Sequence, residues 1–181
     1  MTVDISMYEV TGIAVLLLLL GSFIKDKSPL LRKYAIPSPV IGGLLFSCLV
    51  LIFRSTGTIY FHLDDTLQEL FMLLFFTSIG FNVNLRMLQK GGKSVLVFLG
   101  LATVLCLLQN VVAVALAKPV NVHPQLALMT GSIALTGGLG TSAAIAPMVE
   151  ANGVMGAKAI AIASATFGMV IGSLMGAPHW K

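Results

Sequence analysis

The residues able to do chemistry in this chain are neutral ones embedded in apolar runs. They are Thr77 and Ser78 before Gly80, the amides Asn82 and Asn84, the adjacent pair Gln109-Asn110, and an oxygen-rich stretch over 132–142 centred on Thr136-Gly137-Gly138-Leu139-Gly140-Thr141-Ser142. No apolar run carries Asp, Lys or Arg at its centre. His62, His123 and His179 lie in loops or at the tail without metal-ligand spacing, which argues against both a proton relay and a metal centre. Sodium, by contrast, is held by oxygen donors, and unwound backbone carbonyls with Ser, Thr and Asn side chains supply them without a full charge. An anionic group is held by the backbone N–H groups at a half-helix N-terminus, and glycine lets backbone and ligand approach closely. The leading candidates to line a substrate and ion cavity are therefore Thr136, Gly137, Gly138, Gly140, Thr141 and Ser142, followed by Asn82, Gln109 and Asn110. Individual sodium ligands are not assigned.

Other polar or small residues have duller readings. Gly42-Gly43 reads as close helix packing, and Cys48 and Cys106 as small packing residues. Asp64, Asp65 and Glu69 read as a solvated edge, and Glu150, before Asn152-Gly153, as an interfacial residue. For Gln109-Asn110, an interhelical hydrogen bond and a ligand contact are equally good explanations.

The elements that position these residues follow from composition. Of 181 residues 57% are apolar and only 10% charged, and the mean hydropathy is +0.97. A soluble domain is about 25% charged, so the chain belongs in a membrane and a soluble enzyme is excluded. The net charge of +4 then reflects basic loops, not a nucleic-acid partner. No signal peptide is read, because the first apolar run has Asp4 and Glu9 before it and Lys25 and Lys27 after it, the reverse of a leader's charge order.

Uninterrupted apolar stretches predict spans near 8–24, 39–53, 67–85, 95–117 and 157–177. The segment 126–149 is long enough to cross, but its centre is poor helix material and a break is expected over Thr136 to Ser142. Basic residues gather in the first loop (Lys25, Lys27, Arg32, Lys33) and the third (Arg86, Lys90, Lys93), with only Arg54 and Lys118 in the second and fourth. Positive loops stay in the cytoplasm, so the N-terminus is expected outside. The segment 126–149 then either dips and returns from the outer face, giving five spans, or crosses, giving six. Lys158 favours crossing, whereas the broken centre favours the re-entrant hairpin, since lipid cannot hydrate open backbone.

Four strings resemble the bacterial sodium/glutamate symporters, the glutamate:sodium symporter family. Lys33-Tyr34-Ala35-Ile36-Pro37-Ser38-Pro39-Val40-Ile41-Gly42-Gly43-Leu44-Leu45 is similar to the family's second span, and Leu73-Leu74-Phe75-Phe76-Thr77-Ser78-Ile79-Gly80-Phe81-Asn82 to its third. Gly131-Ser132-Ile133-Ala134-Leu135-Thr136-Gly137-Gly138 with Gly140-Thr141 resembles its Gly-rich hairpin, and Ala165-Thr166-Phe167-Gly168-Met169-Val170 its fifth span. The resemblance implies an all-α membrane protein of the bacterial inner membrane that takes up L-glutamate with sodium as coupling ion. It also implies a homodimer, no other cofactor, and two similar halves of opposite orientation. Where the family's hairpin reads Gly-Gly-His-Gly-Thr, this chain has Leu139 in place of the imidazole. The whole chain, 1–181, resembles the N-terminal repeat as a single membrane domain, with the C-terminal repeat absent. A complementary C-terminal half is accordingly the expected partner, and a half that does not transport alone the expected behaviour. The alternatives are a non-transporting membrane subunit or truncated remnant, and a carrier half for another small carboxylate.

Overall fold

The computed structural model describes residues 2–57, 60–82 and 91–176. Asn84, Arg86, Lys90, His179 and the ends of the expected third and fifth spans lie outside the described residues. The chain divides into two units, residues 1–71 with 170–181, and residues 72–169.

In the first unit β1 (Thr2–Ile5) leads into α1 (Met7–Lys27), the short basic α2 (Pro29–Lys33), α3 (Ser38–Ser55), β2 (Tyr60–Leu63) and the beginning of α4 (Thr66–Asn82). α1 starts where the Ser6 backbone N–H and hydroxyl both donate to the Glu9 carboxylate, at 2.9 and 2.8 Å. It stops at Ser28, which precedes Pro29 and is held in extended backbone. α3 opens on a proline in its first turn, where a missing N–H costs nothing. The two helices pack with their backbones close together. A Cβ on Gly21 would strike the Ser38 carbonyl oxygen, and one on Gly42 the Leu17 carbonyl oxygen. Gly43 faces open space, so the expected close packing at Gly42-Gly43 rests on Gly42 alone. Cys48 also departs from expectation: it is exposed on α3, not packed within the chain.

A purely helical chain was the expectation, but β1 and β2 form a parallel two-stranded pair with Asp4 opposite His62. His62 thus sits in a strand, its Nδ1 3.8 Å from the Asp4 carboxylate. Asp64, read as a solvated edge, has a structural task. Its Oδ1 accepts the Thr66 hydroxyl at 2.6 Å and the Thr66 backbone N–H at 3.0 Å, satisfying an otherwise open amide at the start of α4. The Thr66 hydroxyl, then its amide, and then nearby His62 hold the Asp64 carboxyl below its ordinary value. Because the folded carboxyl is the stronger acid, its contribution to stability is full above the unfolded value and is lost as pH falls through the lower folded one. Carboxyl chemical shifts should therefore place the Asp64 midpoint below 3.8, and a midpoint at or above 3.8 would contradict the contact.

The second unit holds the rest of α4, then α5 (Gly92–Ala117), α6 (Pro124–Met129), α7 (Ser132–Leu135), α8 (Gly138–Ala151) and α9 (Ala157–Gly176) as far as Met169. The chain turns after α5 at Asn121, in the left-handed region with φ +56°. His123 then caps α6, its Nδ1 accepting the Gln125 N–H at 3.3 Å. The buried residues are nearly all small. Ala146, Ala157 and Ala161, each 0% exposed, meet Met129 in one cluster bordered by Leu126, Ile133, Ile145, Val149 and Ile160. Small side chains let helices approach closely where no water is available to drive packing. Glu150, expected at an interface, caps α9: its Oε1 accepts the Lys158 N–H at 2.9 Å.

Among the described residues four helices, α1, α3, α5 and α9, are long and apolar enough to cross a membrane. They coincide with four of the five spans expected from the apolar runs. The described part of α4 has 17 residues. α5 leaves Leu99, Leu101, Leu107 and Leu108 more than half exposed, surface that in water would cost about 25 cal/mol per Å2 and that a bilayer or a partner helix covers.

Candidate functional site in the broken segment

A mid-helix amide in an apolar helix needs a partner, because an unpaired polar group in hydrocarbon costs several kcal/mol. α5 carries two in succession, and both find partners in the broken segment α6-α7-α8. The Asn110 Oδ1 accepts the backbone N–H of Ser132, the first residue of α7, at 2.9 Å. The Gln109 Oε1 accepts the Thr136 hydroxyl, just past the end of α7, at 2.7 Å. Of the two explanations left open by the sequence, the amides show the interhelical bond.

The first break is at Thr130-Gly131. A Cβ on Gly131 would stand 2.6 Å from Asn110 Oδ1, so glycine is required for the Asn110 carbonyl to reach the Ser132 N–H. The second break is at Thr136-Gly137, where both N–H groups turn back to the Ser132 carbonyl, at 3.0 and 2.9 Å. A Cβ on Gly137 would meet the Ile133 carbonyl oxygen and the Thr141 Cβ, each at 2.6 Å. Gly138 has φ +73° with open space beyond it, the left-handed step that restarts the chain as α8. The expected non-helical stretch over Thr136 to Ser142 is therefore shorter than anticipated. Gly138, Leu139, Gly140, Thr141 and Ser142 form the first turns of α8, because a single left-handed glycine suffices to redirect the chain.

This geometry exposes both kinds of backbone group at one point. α7 ends at Leu135, which leaves the carbonyls of Ile133, Ala134 and Leu135 without an N–H partner inside that helix, and α8 starts at Gly138, which leaves the N–H groups of Gly138, Leu139 and Gly140 without a carbonyl partner inside theirs. A helix end rich in free carbonyls attracts a cation, and a helix start rich in free N–H groups attracts an anion. The Thr136 side chain is exposed beside them, while the Thr141 hydroxyl is spent on the Gly137 carbonyl at 3.0 Å. The Ser142 Oγ, in a side chain 0% exposed, has no hydrogen-bond partner among the described residues. Such an orphan is costly unless a ligand, ion or water completes it.

Of the sequence candidates, the structure gathers Thr136, Gly137, Gly138, Gly140, Thr141 and Ser142 around the second break, and holds Gln109 against it and Asn110 against the first. Asn82 is not part of this network. Its Nδ2 donates to the Ser78 carbonyl of its own helix at 2.8 Å. Two contributors escaped the sequence reading. Gly131, although present in the Gly-Ser string, acquires its role only from Asn110, and Phe76 packs where a Cβ on Gly140 would lie 3.5 Å from its ring. Leu139, half-buried, stands in the first turn of α8.

The sequence profile described as sodium/glutamate symporter matches residues 3–181. The chain is 42% identical over 179 residues to the sodium/glutamate symporter of Haemophilus influenzae, covering 98% of this chain and 44% of that protein. It is 39% identical over 166 residues to the one from Escherichia coli, covering 91% and 41%, and equally to that of Shigella flexneri. The chain thus spans less than half the length of the curated relatives it matches. No solved structure matches it. Its long apolar helices and its match over almost every residue make it a membrane protein, and it belongs to the sodium/glutamate symporter family.

Proposed function

We propose that the chain supplies one half of a sodium-coupled L-glutamate carrier, with its substrate and ion cavity at the tip formed by Thr136, Gly137, Gly138, Gly140, Thr141 and Ser142. The observation that carries this reading is the helix break at Thr136-Gly137, where carbonyls ending α7 and N–H groups starting α8, none with a partner in its own helix, lie two residues apart. Sodium suits the first and a carboxylate suits the second. The names of the relatives supply the identity of the ion and substrate.

In this reading residues 126–149 are a re-entrant hairpin entering from the outer face between the fourth and fifth of five spans. The chain is a single membrane domain in a bacterial inner membrane, with its N-terminus outside. The packing supports it: Leu126 and Val149 border the same buried cluster, whereas a straight helix would carry them about 34 Å apart. Irregular backbone at membrane depth is tolerated only against protein or a water-filled cavity, so a second half of inverted orientation faces the tip and completes it.

The test is uptake in proteoliposomes. The chain co-reconstituted with the segment of the Haemophilus influenzae relative that it does not cover should accumulate L-glutamate under an inward sodium gradient, and the chain alone should not. Uptake by the chain alone would overturn the half-carrier reading. A silent pair, beside an active full-length relative, would overturn the transport reading itself.

A further inference from the structure

Threonines in apolar helices usually dispose of the hydroxyl proton on their own helix. Thr11, Thr103 and Thr166 donate to the carbonyls four residues back, of Met7, Leu99 and Ile162, each at 2.8 Å. Thr141 does the same to Gly137, and Thr130 reaches Ala127, three back. Thr136 is different. The carbonyl four residues before it, Ser132, is already taken by the backbone N–H groups of Thr136 and Gly137. Its proton goes instead across to α5, onto the Gln109 Oε1 at 2.7 Å.

We propose that Gln109 is a positioning residue that fixes the polarity of the Thr136 hydroxyl, making its oxygen a lone-pair donor for a cation at the tip. The inference rests on the carrier reading above and assigns Thr136 to the ion, not to the substrate carboxylate. A hydroxyl has one proton and two lone pairs. With the proton committed to Gln109, the exposed Thr136 oxygen offers only lone pairs, beside the carbonyls of Ile133, Ala134 and Leu135 that end α7 without a partner inside that helix. It cannot donate to a carboxylate without giving up the bond to Gln109. Asn110 strengthens the arrangement, because by holding the Ser132 N–H it fixes the other end of the four-residue α7 to the same helix. Consecutive residues of α5 therefore determine both where the Thr136 oxygen stands and which way its proton points.

The experiment uses the reconstituted pair described above, with sodium alone as the probe and choline as the replacement cation. Sodium-dependent thermal stabilisation is read beside sodium-driven uptake. Gln109→Met, of similar length but with only a weakly accepting thioether, should raise the half-saturating sodium concentration about tenfold while leaving KM for glutamate at saturating sodium unchanged. Gln109→Glu, an acceptor, should return it to within about threefold of the native value. In a Thr136→Val background, Gln109→Met should have no further effect, because the interaction it removes is already gone. Equal sodium responses in native chain and Gln109→Met, failure of Gln109→Glu to restore the response, or additive effects of the two substitutions would each overturn the role given to Gln109. Absence of any sodium response in the native pair would instead overturn the carrier reading on which it rests.

Discussion

Gly137→Val is expected to abolish sodium-driven uptake by the reconstituted pair while leaving the chain inserted in the membrane. Any Cβ at this position stands 2.6 Å from the Ile133 carbonyl oxygen and 2.6 Å from the Thr141 Cβ, with the Thr141 hydroxyl at 2.8 Å. One of these obstacles is backbone and cannot rotate away. The Thr136-Gly137 turn has to open, drawing Thr136 from Gln109 and separating the carbonyl end of α7 from the N–H start of α8. A misplacement of about 1 Å in a positioned site costs on the order of a hundredfold in rate. The four helices long and apolar enough to cross a membrane are untouched, so membrane extraction and protein yield should match the native chain. The neighbouring Gly138→Ala provides the comparison. Its position has open space but φ +73°, so it carries a penalty of about 1–2 kcal/mol from conformation alone and should retain measurable uptake. Native uptake by Gly137→Val would remove the second break from the site.

The second large effect is structural. Gly42→Val should drive α1 from α3, because its Cβ collides with the Leu17 carbonyl group, and Gly21 on α1 is similarly tight against the Ser38 carbonyl. Overpacking of this kind costs about 3 kcal/mol, which for a chain of this length lowers Tm by roughly 10 °C. Gly43→Val, one residue on and facing open space, should shift Tm by no more than about 1 °C. A thermal scan of both variants in one detergent checks this. Equal melting of the two would show that α1 and α3 do not pack through Gly42.

What was legible in the sequence and what was not follows from the range of the forces involved. The long helices announce themselves because a bilayer demands about 20 consecutive apolar residues, a local property. The break at Thr136-Gly137 is equally local. Its extent was not, because whether Gly138 continues a loop or restarts a helix depends on one dihedral angle that composition does not encode. The strand pair joins Thr2–Ile5 to Tyr60–Leu63, and neither string alternates long enough to declare itself without its distant partner. The amides of α5 were visible as anomalies in an apolar helix. Their partners, Ser132 and Thr136, were visible only as members of an oxygen-rich stretch. Glu150 was read as interfacial because its partner, the Lys158 amide, lies beyond a turn through Gly153 and Gly156, both at φ +87°.

The alanine seam of the second unit makes the chain's tolerance of change one-sided. Ala146, Ala157, Ala161 and Ala165 are at most 1% exposed, and three of them recur at every fourth residue along α9. A core built from leucine is harmed mostly by subtraction, through cavities that trimmed side chains leave behind. A seam of single methyl groups has almost nothing to subtract. Nearly every substitution there adds bulk, and the addition wedges neighbouring backbones apart instead of hollowing the space between them. Variation at these positions is thus confined to the smallest side chains, a ceiling on size where most protein interiors have a floor.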